Sequence, residues 1–235
     1  MANMHLLTPR WSDAGTYSGG SWSSSLPLDN LKTQQPQQVA RSTSAAEAST
    51  TFKIDLGLVR PVSMFALINT NNTDAATVRF RVSMNSDGSS PGLDSTIPAV
   101  PPSVVFGSLP WGGFPWTGIE DFSVTPGGRV TYYKHPEAVF GRYVFVDISD
   151  TSNPDGYVQL GRFMAGDAFV PQVNIDWGAQ LSFVDESKQS RSVGMQLYSD
   201  KKPLRRKLQC SFGALSESEA MGVIYDLHRT LGKTG

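Results

Sequence analysis

Cysteine is nearly missing from this 235-residue chain: Cys210 stands alone, so no internal disulfide can staple the fold. It lies in an alternating stretch and reads as a small core residue rather than a reactive thiol. Histidine is also scarce, at three residues, and charged side chains make up only 17% of the chain, against about one-quarter in ordinary domains. The net charge of −1 gives no electrostatic ground for a specific nucleic-acid partner. No window approaches the roughly 18 apolar residues a membrane span requires. The N-terminus, MANMHLLTPRW, lacks a basic region followed by an apolar run, which leads us to expect a soluble protein made in a cytoplasm. Glycine (22) and proline (15) are plentiful, a balance that suits a loop-rich β protein or a surface largely covered by partners.

Catalytic patterns are equally sparse. His5 lies in the N-terminal arm, His135 precedes Pro136 in a loop, and His228 falls on the polar side of the last predicted helix. None has a Ser, Cys or carboxylate beside it in a nucleophile arrangement. The carboxylate pairs Glu120-Asp121 and Asp185-Glu186 are adjacent, so on a strand they face opposite ways. A glycosidase pair distant in sequence stays open. The expectation is a non-enzyme without cofactor.

What is present is period-2 alternation. In TFKIDLG, Phe52, Ile54 and Leu56 alternate with Lys53 and Asp55, and Gly57 is expected to end the strand. VSMFALINT (62–70) reads as a central strand. ATVRFRVSMN puts Val78, Phe80, Val82 and Met84 on one face, and 69–74 joins it to its predecessor by a turn. From Ser86 to Gly128 the pattern dissolves into Gly, Pro and Ser. It returns in GRYVFVDISD, where Tyr143, Phe145 and Asp147 oppose Val144, Val146 and Ile148, and in YVQLGRFMAGD after a TSNPDG turn. Short strands without helical periodicity imply a mainly β, antiparallel sandwich.

The first 50 residues are polar, and we expect them to lie over a core made elsewhere. The last 65 predict about three strands and then a helix. Ser216 is its N-cap, Glu219 completes a capping box, and Leu215 staples onto Ala220. Ala220, Val223, Ile224, Leu227 and Leu231 form one apolar stripe, and Gly232 is the stop. That stripe needs a cover, either the 173–213 strands or another molecule. The expected division is a 1–22 arm, a 23–168 sandwich and a 169–235 assembly segment of strands plus helix.

The strand order, with the matches Asp55-Leu56-Gly57, Gly141-Arg142-Tyr143-Val144 and Leu160-Gly161, resembles the galactose-binding-like (discoidin-type) jelly rolls. The cysteine pair that often ties those domains' ends is absent, which suits folding in a reducing cytoplasm. The whole-chain pattern, including WSSSLPLDNLKT and PQVNIDWGAQLSFVDESKQSRS, resembles tail-tip (baseplate, distal tail-like) proteins of long-tailed bacteriophages. That resemblance implies a virion structural protein made in the bacterial host cytoplasm. Its copies would form a threefold or sixfold ring and meet tube, hub, tape-measure and fibre proteins. The alternative is a carbohydrate-binding module for a cell-surface glycan.

Four groups of residues are candidate sites. Trp111, Phe114 and Trp116, set among Gly112, Gly113 and Pro115, can cap the sandwich, anchor a protein partner or stack on a sugar. Asp150, Asn153 and Asp155 offer oxygens to calcium but are also good turn formers. Lys201, Lys202, Arg205, Arg206 and Lys207 pack five positive charges around Pro203, either as a solvated edge or against an acidic patch of a neighbouring subunit. Together with these basic residues, Trp11, Trp22, Val223, Leu227 and Leu231 complete the expected subunit interface.

Overall fold

A computed structural model describes residues 3–100, 129–202 and 205–231. The chain divides into two compact units, one holding Leu6–Phe169 and the other Met1–His5 with Val170–Thr230.

The first unit is built from β1 (Leu6–Arg10), β2 (Thr16–Ser18), β3 (Ala40–Arg41), β4 (Phe52–Thr70), β5 (Thr77–Ser83), β6 (Leu93–Pro98), β7 (Arg129–Ser149), β8 (Gln159–Leu160) and β9 (Arg162–Phe169). Among the described residues, seven of these join in one antiparallel sheet of order β1-β9-β4-β7-β5-β6, with β2 added on β4, while β3 pairs with β8. The sheet folds on itself because β4 and β7 are long and broken in register. The first half of β4 pairs Phe52–Asp55 with Tyr143–Val146, and the second pairs Met64–Ile68 with Val130–Lys134. The same second half also pairs with β9. Each strand thus contributes to two layers that face each other. Phe65 of one layer stacks on Phe80 of the other at 4.9 Å between ring centres, and Phe52 meets Phe163 edge-on at 5.6 Å. This is the antiparallel sandwich expected from the alternation.

The core follows the pattern read from sequence. Phe52, Ile54, Val78, Phe80, Val82, Val144, Val146 and Ile148 are all buried. Met84 is not; it lies beyond the end of β5 and is exposed. Gly57 does not end a strand either. It adopts φ +77°, inside a register shift between Asp55 and Arg60, so the chain bulges and continues as β4. Two stretches not read as strands are strands, and the second places His135 on a strand and not in the expected loop. Leu93–Pro98 pairs with β5 as an edge, Pro98 at its end, and Arg129–Phe140 extends β7 upstream of Gly141. Gly141 has a packing reason: a Cβ there would lie 2.3 Å from Val82 Cγ1.

The second unit contains β10 (Gln180–Val184), β11 (Lys188–Arg191), β12 (Leu197–Asp200) and β13 (Arg205–Gln209), four short strands where about three were expected. β10 pairs with β13 and β11 with β12, so 180–209 is one long hairpin. Cys210 follows it half-buried, not in a core. The helix over 217–231 begins as expected, with Ser216 and Glu219 in a reciprocal capping box, and contains a π segment at Ala220–Ile224. No helix among the described residues is long and apolar enough to cross a membrane.

Candidate functional site

The short strands β1 and β2 bring the N-terminal residues into the sheet, where β1 pairs with β9 and β2 with β4. Residues 6–22 are therefore part of the sandwich rather than a separate arm. This placement accounts for the two tryptophans. Trp11 Nε1 donates to the Pro61 carbonyl at 3.0 Å, and the Arg60 guanidinium lies over its ring at 4.4 Å. Trp22 packs edge-on against Phe52 at 5.8 Å. Both are half-buried against this chain's own core. Sequence spacing could not locate their partners, because Pro61 and Phe52 lie 50 and 30 positions away.

Beside Tyr17, burial has gathered a polar knot. Arg162 Nη2 binds Asp13 Oδ2 at 3.0 Å, and Arg10 reaches the same carboxylate at 3.4 Å. Burial, reinforced by the Asp13 charge, pushes the Tyr17 phenol well above its ordinary range. The phenol therefore stays neutral at any ordinary pH.

The residues considered for calcium form a hydrogen-bonded clasp between two loops. Both Asp150 carboxylate oxygens are taken by donors: Thr73 N and Asn153 Nδ2 reach Oδ2, while Thr73 Oγ1 reaches Oδ1. Asn153 Oδ1 accepts from Asp155 N, and Asp155 Oδ2 accepts from Asn71 Nδ2 at 2.8 Å. Asn71 Oδ1 in turn accepts from Gln159 N at 2.7 Å. Engaged in this way, the set ties 69–74 to 150–159 and serves the turn. Sequence singled out Asp150 and Asn153 but missed Asn71 and Thr73, whose Asn-rich run reads only as turn chemistry.

The two motif pieces nearest the bulge also meet. Arg142 donates to both Asp55 oxygens, each at 2.8 Å. That fork holds the Asp55 carboxyl below its usual range, chiefly through the hydrogen bonds from Arg142. A similar fork joins Arg79 to Asp94 across β5 and β6.

Two surfaces of the described residues offer apolar contact. On the sandwich, Ile97, Pro98, Val130 and Tyr132 help wall a shallow groove of about 250 Å³. Tyr132 is 65% exposed there. Trp111, Phe114 and Trp116 lie outside the described residues.

On the second unit, the hairpin is amphipathic. Register places Leu181 opposite Leu208, on the face that Phe183 shares, with Gln180, Gln209, Ser182 and Lys207 on the other. Leu181, Phe183 and Leu208 are 67%, 63% and 55% exposed. Lys201, Lys202 and Lys207 are exposed, and Lys202 N donates to Ser187 Oγ. Arg205 and Arg206 belong to β13, with side chains outside the description, as is that of Leu231. Val223 and Leu227 are half-buried on the helix.

His135 Nδ1 lies 2.8 Å from the Glu137 carbonyl, and His228 is exposed; neither faces a nucleophile among the described residues.

No family model matches this chain. No curated protein matches it either. Solved structures do resemble it. A fucolectin from striped bass (Morone saxatilis) serum aligns with 72% of this chain and 50% of its own, at 12% identity and a TM-score of 0.46. The family 32 carbohydrate-binding module of C. perfringens NanJ, solved with galactose, aligns over 69% of this chain and 98% of its own, at 12% identity and 0.44. A fucose-binding module of Streptococcus pneumoniae aligns over 70% and 95%, at 12% identity and 0.43. The chain spans half the length of the fucolectin and nearly all of the two modules.

Proposed function

We propose that this chain is a non-catalytic contact module, a structural subunit of a phage tail tip in which the sandwich is the platform and the C-terminal unit the assembly element. The observation that supports the contact-module part of this reading is the state of the C-terminal unit, while the tail tip rests on the whole-chain resemblance alone. Among its described residues from Val170 on, Pro171 alone is buried, while Trp177, Phe183, Leu197, Tyr198 and Met221 stand in solvent. A two-stranded ribbon with an uncovered apolar face is marginal in water, so such a unit is completed by a partner. Antibodies raised against the chain should decorate the distal end of phage tails in electron micrographs. Unlabelled tails would overturn the assignment.

A second reading is glycan recognition, with the ligands named for the galactose- and fucose-binding modules as the first to try. The feature that favours it is the sandwich groove, where Tyr132 presents an exposed ring against which a sugar can stack. Titration with galactose and fucose tests it. Saturable binding that is lost in Tyr132→Ala, or in a Trp111→Ala, Trp116→Ala double variant, would support the lectin reading, and no binding would exclude these sugars.

A further inference from the structure

Going beyond the contact-module reading, we infer that the far end of the 180–209 hairpin is a membrane-surface contact. Its apolar turn enters the interface of an anionic lipid bilayer, and the cations behind the turn meet the headgroup phosphates. The first observation is the turn between β11 and β12. Ser192 N donates to the Gln196 carbonyl and Met195 N to the Ser192 carbonyl, both at 2.9 Å, while Gln196 N reaches Ser192 Oγ at 3.2 Å. Met195 takes φ +62°, a conformation that Asn or Gly normally supplies in hairpin turns. Held in this way, the turn displays its apolar side chains. Val193 stands wholly in solvent, and Met195, Leu197 and Tyr198 are each more than half exposed. An apolar tip on a strained turn is a local cost that a contact offsets.

The second observation is charge. Over residues 188–202, Lys188, Arg191, Lys201 and Lys202 stand against Asp200 alone, a net +3, and all four cations are exposed. Lys202 N is bonded to Ser187 Oγ, so the two lysines of β12's end lie level with the start of β11. At the rise of a strand, the cations fall within about 15–20 Å of the turn, and their long stems reach forward. From the turn backwards the order is apolar, then aromatic, then basic. A bilayer surface has the matching order, from the acyl boundary through the layer where tyrosine settles to the phosphates. The choice of lysine favours lipid over a protein pocket. Protein interfaces are depleted in lysine, whereas a fluid anionic surface takes ammonium groups as point charges without fixed geometry. Each such charge near an anionic leaflet strengthens binding about fivefold.

The test is co-sedimentation of the full-length protein with phosphatidylcholine vesicles, with and without phosphatidylglycerol. The wild type should bind the phosphatidylglycerol vesicles much more tightly, and sodium chloride should weaken that binding, because salt screens the charges. Val193→Asp with Met195→Asp should weaken it at least tenfold, and so should Lys188→Glu, Lys201→Glu and Lys202→Glu combined. An unchanged thermal transition and near-ultraviolet spectrum would show that the sandwich of each variant is intact. Insertion is read directly from Val193→Cys in a Cys210→Ser background, labelled with a polarity-sensitive fluorophore, which should brighten and shift to the blue on the anionic vesicles. A wild type that binds no vesicle would overturn lipid as the partner. Equal binding to both kinds of vesicle would overturn the role of the cations. A label that stays in water, or a Val193→Asp, Met195→Asp variant that binds like the wild type, would overturn the turn as the contact. Antibody decoration of tails is read separately, so these failures are distinguishable from failure of the tail-tip assignment.

Discussion

The sandwich and the C-terminal hairpin are made of the same antiparallel alternation, yet one hides its apolar positions and the other displays them. Val78, Phe80 and Val82 of β5 are fully covered because a second layer, folded from the other halves of β4 and β7, lies across them. Leu181, Phe183 and Leu208 have the same spacing and no such layer, so the same pattern yields a surface. Alternation specifies which residues share a face. Whether that face becomes core or contact depends on what the rest of the chain can bring to it.

The sharpest way to test this contrast is a pair of phenylalanine truncations. Phe80→Ala removes a ring stacked on Phe65 and Tyr133 and should cost about 3–5 kcal/mol in denaturant unfolding. Phe183→Ala should change the stability of the monomer by no more than about 0.5 kcal/mol, because its ring already meets water. Comparable losses at both sites would mean that the hairpin is covered within its own chain.

Next in size is Gly141→Ala. The added methyl must displace Val82 or the backbone of Ser83, so we expect a loss of about 1–3 kcal/mol, as for overpacked cores. Gly57→Ala meets nothing within 4 Å and should act only through its left-handed φ, which costs less. Calorimetry on the two variants ranks them, and the reverse order would undo the packing account of Gly141.

A smaller effect is expected in the C-terminal unit. Ser216→Ala removes the cap that accepts from Glu219 N and should cost about 1 kcal/mol of helix stability, read as faster amide exchange over 217–231. Exchange in the sandwich should not change, since the cap belongs to the other unit.

The smallest effect concerns pH. The folded-state Asp55 carboxyl titrates below its unfolded value, so its pairing with Arg142 contributes stability above the ordinary carboxylate range. That contribution is lost as pH falls through the depressed folded value. Asp55→Asn should therefore be less stable than wild type near neutrality, and the two should converge at strongly acid pH. A gap of constant size at all pH values would show that shape, not charge, matters there.

Much of the sandwich was legible in its residues. The period-2 stretches at 52–56, 76–83 and 141–149 named most of the core, because a strand covered on one face writes its burial into every second position. The joins were not legible. Gly57 read as a stop and Gly141 as the head of a strand, but one is a bulge inside a continuous strand and the other a point of close packing in the middle of β7, and both meanings need the neighbour that folding brings. β6 was hidden by Pro91, Gly92 and Pro98, which punctuate its ends just as they would a loop. The site was less legible than the fold. Ser216 and Glu219 could be paired because they sit three residues apart, whereas Trp11 with Pro61, and Asn71 with Asp155, meet only after folding.

The course of β4 and β7 has a mechanical consequence. Two strands of 19 and 21 residues run antiparallel through both layers, hydrogen-bonded to each other along most of their length. The layers cannot separate like the covers of a book, since each continues into the other through unbroken backbone. A pull along these strands loads many hydrogen bonds in parallel shear instead of opening them one by one. The sandwich should therefore yield abruptly and as a single piece.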